Sequence, residues 1–213
     1  MSDPVLELRD VHAAYGPFRA LFGVDVAVEP GQVTALVGPN GSGKTTVARV
    51  ASGLLAPSSG RVSLAGVDMT DRPAWAFARD GVAHAPEGRS VFASLTVAEN
   101  LELAFRQAHG RGGSQPLLAE AYELFPRLGE RRTQLAGSLS GGEQRMLSLA
   151  RVLVDPPSVL VVDELSLGLA PVIVDEVYAK LALVGARGTA LLLIEQYVDR
   201  ALALADSIVV LRG

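Results

Sequence analysis

The sequence contains no cysteine and a single tryptophan. Without cysteine there is no disulfide framework, so stability has to come from an apolar core. No apolar run approaches the roughly 18 residues of a membrane span. The longest runs, such as Ala190 to Ile194, have the length of strands. The N-terminal stretch has no basic n-region, so no secretory signal is expected, and any membrane role is expected to be peripheral, through a partner. An excess of positive charge is missing too. The 19 Lys and Arg against 23 Asp and Glu leave a formal charge of −4, which argues against a nucleic-acid partner and its usual basic stripe. Arg127, Arg131 and Arg132 form the one local basic cluster, and a solvated helix face accounts for them. The three histidines, His12, His84 and His109, stand at no metal-ligand spacing and are expected to be loop or surface residues.

What is present is a globular composition. The 213 residues are 49% hydrophobic and 20% charged, enough for one core, or for a core with a small satellite. Val5 to Leu8, Val24 to Val28, Val33 to Val37 and Val62 to Leu64 read as strands, with turns at Tyr15-Gly16-Pro17 and at Pro57 to Gly60. From about Pro86 to Pro156 the pattern turns helical. Thr96 and Glu99 are spaced as a capping box, and Met146, Leu149, Ala150, Leu153 and Val154 share one helix face. Gly110 to Pro116, rich in Gly, Ser and Arg, reads as an exposed loop. Strands at Val159 to Val162, Leu191 to Ile194 and Ile208 to Leu211 then alternate with helices lined by Ile173, Val177, Leu181 and Val184 and running from Val198 to Leu204. That alternation predicts an α/β fold with a mainly parallel sheet.

Gly38-Pro39-Asn40-Gly41-Ser42-Gly43-Lys44-Thr45, followed by Thr46, has P-loop spacing, with a strand before it and a helix after it. The glycines let backbone N–H groups turn toward phosphate oxygens, and the helix N-terminus adds partial positive charge. Lys44 is placed to reach the β and γ phosphates, and the Thr45 hydroxyl to bind Mg²⁺. Val159 to Val162 is an apolar strand that ends in Asp163-Glu164, which delivers two acids to the sheet edge where ligands sit in open α/β folds. Asp163 suits Mg²⁺ and Glu164 suits polarisation of an attacking water. Ser140-Gly141-Gly142-Glu143 reads as a capping box, yet each glycine inside a helix costs about 1 kcal/mol relative to Ala. Close approach of a ligand to that backbone explains the glycines, and makes this a second anion site. One P-loop serves one nucleotide, so the second site is expected to serve a nucleotide held by another copy.

The order of P-loop, Leu139-Ser140-Gly141-Gly142-Glu143-Gln144 and apolar strand with Asp163-Glu164 resembles the ATP-binding cassette (ABC) family over nearly the whole chain. The resemblance implies one ABC ATPase domain over residues 1–213. Its P-loop NTPase core would carry an antiparallel β subdomain and an inserted helical subdomain at about 87–156. It implies that Tyr15 stacks on adenine, and that Glu87 stands at the usual Q-loop glutamine, near γ phosphate and Mg²⁺. Ser166 to Pro171 would form the D-loop at a dimer interface, and Gln196 would replace the switch histidine. Glu87-Gly88-Arg89, Gly168-Leu169-Ala170-Pro171, Glu195-Gln196 and Leu124-Phe125-Pro126-Arg127-Leu128 together are similar to the shorter ATPase subunit of branched-chain amino-acid importers. Urea and amide importers share much of this pattern. Leu165 departs from the proline that usually follows Asp-Glu. Relatives continue beyond Leu211-Arg212-Gly213, so the last sheet edge is expected to be incomplete. The implied cofactors are ATP and Mg²⁺. The implied partners are a second ATPase subunit, a transmembrane permease and, indirectly, an external substrate-binding protein, at the cytoplasmic face of the membrane. A soluble ABC ATPase acting on RNA would call for tandem cassettes or basic arms. A regulatory binding module without turnover would have no use for Glu164, whereas Gln196 in place of the histidine leaves that reading open.

Overall fold

The computed structural model describes residues 3–86, 90–165, 171–196 and 198–212, which fall into two compact units. The first comprises Met1–Pro86, Pro157–Ser166 and Ala182–Gly213. It holds two sheets. In the antiparallel one, β1 (Leu6–Tyr15), β2 (Phe18–Val28), β4 (Ser59–Leu64) and β5 (Val67–Asp68) lie in the order β2-β1-β4-β5. In the other, β3 (Val33–Val37), β6 (Val82–Ala85), β7 (Val159–Asp163), β8 (Ala190–Glu195) and β9 (Ser207–Val210) lie in the order β6-β7-β8-β3-β9, and every pairing is parallel. The expectation of a mainly parallel sheet beside an antiparallel part holds. The central strands β3, β7 and β8 are buried at every position. That is why they read as unbroken apolar runs and not as alternation.

The antiparallel strands are longer than the sequence suggests. β1 runs on to Tyr15, which pairs with Phe18 across the Gly16-Pro17 turn. The long strand bends at Asp10, where the register with β2 shifts. Asp10 takes a φ of 49°, a conformation Asp tolerates better than most residues, and its N–H donates to Asp25 Oδ1 at 2.8 Å. Helix α1 (Lys44–Ala51) packs Val47, Ala48, Val50 and Ala51 into the core that Leu6, Val28, Val161 and Leu192 share. Short α2 (Ala74–Arg79) and α7 (Val198–Leu204) complete this unit.

His84 lies on β6, not in a loop or on the surface as expected, and is mostly buried. Its Nδ1 is 3.2 Å from Ser52 Oγ, and its Nε2 is buried without a hydrogen-bond partner among the described residues. Burial, with the charge of Arg49 second, lowers its pKa from 6.5 to about 4. The unfolded chain therefore binds one more proton than the folded one between those two values. The stabilisation is complete above pH 6.5 and is lost as pH falls toward 4, on the order of 3 kcal/mol at most. Urea titrations across that range should show a steeper loss of stability for the wild type than for His84→Asn. Parallel slopes would mean His84 does not carry the acid sensitivity.

The second unit comprises Glu87–Pro156 and Leu167–Leu181. It contains α3 (Val97–Leu124), α4 (Pro126–Glu130), α5 (Gly141–Leu153) and the first part of α6 (Pro171–Ala186). The loop expected at Gly110 to Pro116 is helical instead. Only Gly110 departs, with φ 68° and ψ −176°, and the helix resumes directly after it. Within that stretch Ser114 is buried, and Leu101, Phe105 and Ala121 are buried in the helical segments on either side. Both capping boxes are formed. Thr96 Oγ1 accepts from the Glu99 N–H at 3.2 Å, and Glu99 Oε2 accepts from the Thr96 N–H at 2.7 Å.

Asn100, on α3 and fully buried, ties down the segment ahead of its helix. Its Oδ1 accepts from the Phe92 N–H at 2.8 Å, and its Nδ2 donates to the carbonyls of Phe92 at 3.0 Å and Thr96 at 2.9 Å. Truncation removes the acceptor of the Phe92 N–H and empties a fully buried position, while the Phe92 and Thr96 carbonyls keep the N–H groups of Leu95 and Asn100. Asn100→Ala is expected to cost about 3 kcal/mol in a urea unfolding titration. A loss under about 1 kcal/mol would show that water replaces the amide.

Candidate nucleotide site

Three adjacent parallel strands carry the chemistry to one sheet edge. β3 leads from Val37 into Gly38, β7 ends at Asp163, and β8 ends at Glu195. Their register aligns Asp163 with Ile194 and Glu195 with Val37. Parallel strands put all three C-termini on the same side, the position at which open α/β sheets bind ligands.

The loop after β3 is a tight cradle. Gly43 sits at φ 96°, and a side chain there would come within 2.7 Å of the Ala20 carbonyl and of Leu21. A residue with a Cβ is excluded on both counts. Helix α1 begins directly afterwards at Lys44. Lys44 is 4% exposed, and its Nζ donates to the carbonyls of Gly38 and Pro39 at 3.1 Å each. Glu164 Oε1 lies 3.5 Å from the same ammonium. Ser42 Oγ is buried without a hydrogen-bond partner among the described residues. An orphaned hydroxyl, N–H groups at a helix start and a buried ammonium together fit a phosphate chain. Thr46, also buried, lies on α1, as does the half-buried Thr45. Asn40 and Gly41 are exposed at the loop tip.

Asp163 is 1% exposed at the end of β7. The next residue, Glu164, has φ 47°, a left-handed conformation uncommon for a residue with a Cβ. Its N–H donates to the Ile194 carbonyl at 2.9 Å, which holds the backbone there. The strained turn swings the Glu164 carboxylate toward Lys44 while Asp163 stays within the strand end. Carboxylate and hydroxyl oxygens are the donors Mg²⁺ prefers, and it takes only one or two from protein when phosphates and water supply the rest. Asp163 and Thr45 fit that role. Leu165, at the position of the unusual substitution, is buried at 1%. Gln196 follows β8 and is exposed, whereas its neighbour Glu195 is fully buried.

Tyr15 is 41% exposed at the end of β1. Its hydroxyl accepts from Arg49 Nη1 at 2.9 Å, and that guanidinium lies over the ring at 5.7 Å from its centroid. Glu87 and residues 166–170, which include most of the expected D-loop, lie outside the described residues. The sequence pointed to no site role for Arg49 or for Glu195, which it offered only beside Gln196 at the switch position. The second had a signal, since Glu195 ends an apolar strand just as Asp163 does.

In the second unit, Ser140 caps α5. Its Oγ accepts from the Glu143 N–H at 3.3 Å, and Glu143 Oε2 accepts from the Ser140 N–H at 2.9 Å and from the Ser140 hydroxyl at 2.8 Å. Gly141 and Gly142 form the first turn of the helix. Arg131 Nε lies 2.8 Å from Glu143 Oε1, so this arginine is paired and not simply part of a solvated face. Partial burial pushes the Glu143 carboxyl up, but the hydrogen bonds from Ser140 and the charges of Arg131 and Arg127 outweigh it, and the net shift is downward. Glu143 is therefore an ionised cap at neutral pH.

Among known proteins, the family model described as "ABC transporter" matches residues 21–166. The high-affinity branched-chain amino acid transport ATP-binding protein BraG of Pseudomonas aeruginosa is 38% identical over 98% of this chain and 89% of its own length. The probable branched-chain amino acid transport ATP-binding protein LivF of Archaeoglobus fulgidus is 37% identical over 92% of this chain and 84% of its own. The Nod factor export ATP-binding protein I of Rhizobium etli is 33% identical over 98% of this chain and 65% of its own length. A solved ATP-binding subunit of an ABC transporter superposes with a TM-score of 0.86 at 28% identity, covering 98% of this chain and 86% of the other. No helix among the described residues is long and apolar enough to cross a membrane. With the phosphate cradle, the strand-end acids and these relatives in place, the chain belongs to the ABC transporter ATPase family, whose members bind ATP and hydrolyse it to power transport.

Proposed function

We propose that this chain is the ATP-driven motor of an importer for branched-chain amino acids, peripheral on the cytoplasmic face of the membrane and bound to a permease. The observation that carries the substrate reading is the 38% identity to BraG over nearly the whole chain. The motor works as a head-to-tail dimer with two ATP at the interface. Lys44 and the loop Gly38-Pro39-Asn40-Gly41-Ser42-Gly43 hold the phosphates, and Thr46 supports the loop from α1. Ser140, Gly141, Gly142 and Glu143 of the opposing subunit close over the same nucleotide. Thr45, Asp163 and Glu87 would hold Mg²⁺, which would supply positive charge beside the phosphate oxygens. Glu164 polarises the attacking water, Gln196 orients it, and Tyr15 stacks on the base. The residues contribute mainly positioning and electrostatics. An external substrate-binding protein acts through the permease. A single ABC domain with a helical subdomain at about 87–156 accounts for the division of labour.

Export is the second reading, supported by the 33% identity to a Nod factor export protein. Proteoliposomes holding the native permease, this subunit with its partner ATPase subunit, and the external substrate-binding protein decide between them. ATP-dependent accumulation of radiolabelled leucine on the side away from this subunit would overturn import. Accumulation on the same side supports it, and the absence of any leucine movement would overturn the substrate reading.

A further inference from the structure

We propose that Arg49 is a positioning residue for the nucleotide base, acting through Tyr15; this rests on the reading of Tyr15 as the base platform. The ring projects from the β1–β2 hairpin, where Tyr15 pairs with Phe18 across the Gly16-Pro17 turn. At 41% exposure, packing alone does not select one ring orientation. The Arg49 bond to the hydroxyl at 2.9 Å does, and the guanidinium over the ring at 5.7 Å adds a second restraint. Fixing the ring in advance removes part of the ordering cost of binding. A cation near one side of the ring also draws π density toward itself, which favours stacking of a base on the other.

The placement of Arg49 gives the restraint a further consequence. Lys44 and Arg49 lie on the same helix, α1. They are about 7.5 Å apart along its axis at 1.5 Å per residue. One rigid element thus registers the phosphate chain at its start and the base platform toward its end. A cation in the last turn also suits the helix dipole, which keeps Arg49 compatible with a purely structural role. The two roles differ in which ligands they affect. A base-positioning arginine matters to ATP and not to inorganic tripolyphosphate.

Calorimetric titration of the full chain with ATP and with tripolyphosphate tests this. Arg49→Met is expected to weaken ATP about fivefold, because the ordering of one side chain is then no longer met before binding. Tripolyphosphate affinity and the thermal midpoint should stay at wild-type values. Arg49→Lys should recover part of the loss, because it keeps the cation without the planar fork. Tyr15→Phe keeps the ring and loses the bond, and adding Arg49→Met to it should weaken ATP further by less than the single change does. Equal weakening of ATP and tripolyphosphate, an unchanged ATP affinity in Arg49→Met, or full additivity in the double variant would each overturn the proposal. A wild-type chain that binds neither ligand would overturn the motor reading itself, and this inference with it.

Discussion

Replacing Glu164 with glutamine is expected to leave ATP binding intact and to lower turnover by about two to four orders of magnitude, the usual range for loss of a general base. The amide has the shape of the carboxylate and keeps the backbone bond from the 164 N–H to the Ile194 carbonyl. It lacks the negative charge that polarises water. The same change removes the carboxylate 3.5 Å from Lys44 Nζ, so the ammonium loses a competitor to phosphate. ATP affinity should therefore be equal or tighter while hydrolysis stalls, and closed dimers should accumulate in ATP. Single-turnover hydrolysis combined with equilibrium binding separates the two effects. Wild-type turnover in Glu164→Gln would place the base elsewhere.

The backbone at this residue adds a control. With φ 47°, Glu164 holds a conformation that costs about 1 to 2 kcal/mol for a residue with a Cβ and almost nothing for glycine. Glu164→Gly should be inactive but as stable as the wild type or more so, even after losing the ion pair. A site that gives up stability to aim a carboxylate has this signature. A marked loss of stability in the glycine variant would instead mean that the side chain holds the strand end in place.

Removing the Lys44 ammonium is expected to abolish measurable hydrolysis and to weaken ATP at least 30-fold. One charge-assisted contact of 1.5–3 kcal/mol corresponds to a factor of roughly ten to a hundred in affinity. Lys44 is nearly buried and bonds two loop carbonyls, so in Lys44→Ala the Gly38 and Pro39 carbonyls and the Glu164 carboxylate all lose their shared cation. The residual carboxylate then repels the incoming phosphates, which compounds the loss. Lys44→Arg should not rescue, because a planar fork cannot replace a point charge in so closed a loop. Unchanged hydrolysis in purified Lys44→Ala would overturn the P-loop assignment.

Much of this was legible in the sequence wherever the determinant is local. The phosphate loop is recognisable because glycines, Lys44 and Thr45 stand between an apolar strand and a helix within a few residues. Both capping boxes are visible because Thr96 with Glu99, and Ser140 with Glu143, interact over one helical turn. The strands β3, β7 and β8 announce themselves because burial on both faces demands unbroken apolar runs. What only the tertiary structure decided depends on distant partners. The stretch from Gly110 to Pro116 has loop composition, yet it is helical apart from a kink at Gly110, with Ser114 buried against its own unit. His84 looks like a surface histidine until the sheet encloses it beside Ser52, 32 residues away in the chain. The left-handed turn at Glu164 exists because the Ile194 carbonyl on a neighbouring strand holds its N–H. The pairing of Arg49 with Tyr15, 34 residues apart, follows from packing a hairpin beside a helix, and no window of sequence contains both. Local patterns name the residues of such a site, and long-range packing sets the strain, burial and charge under which they act.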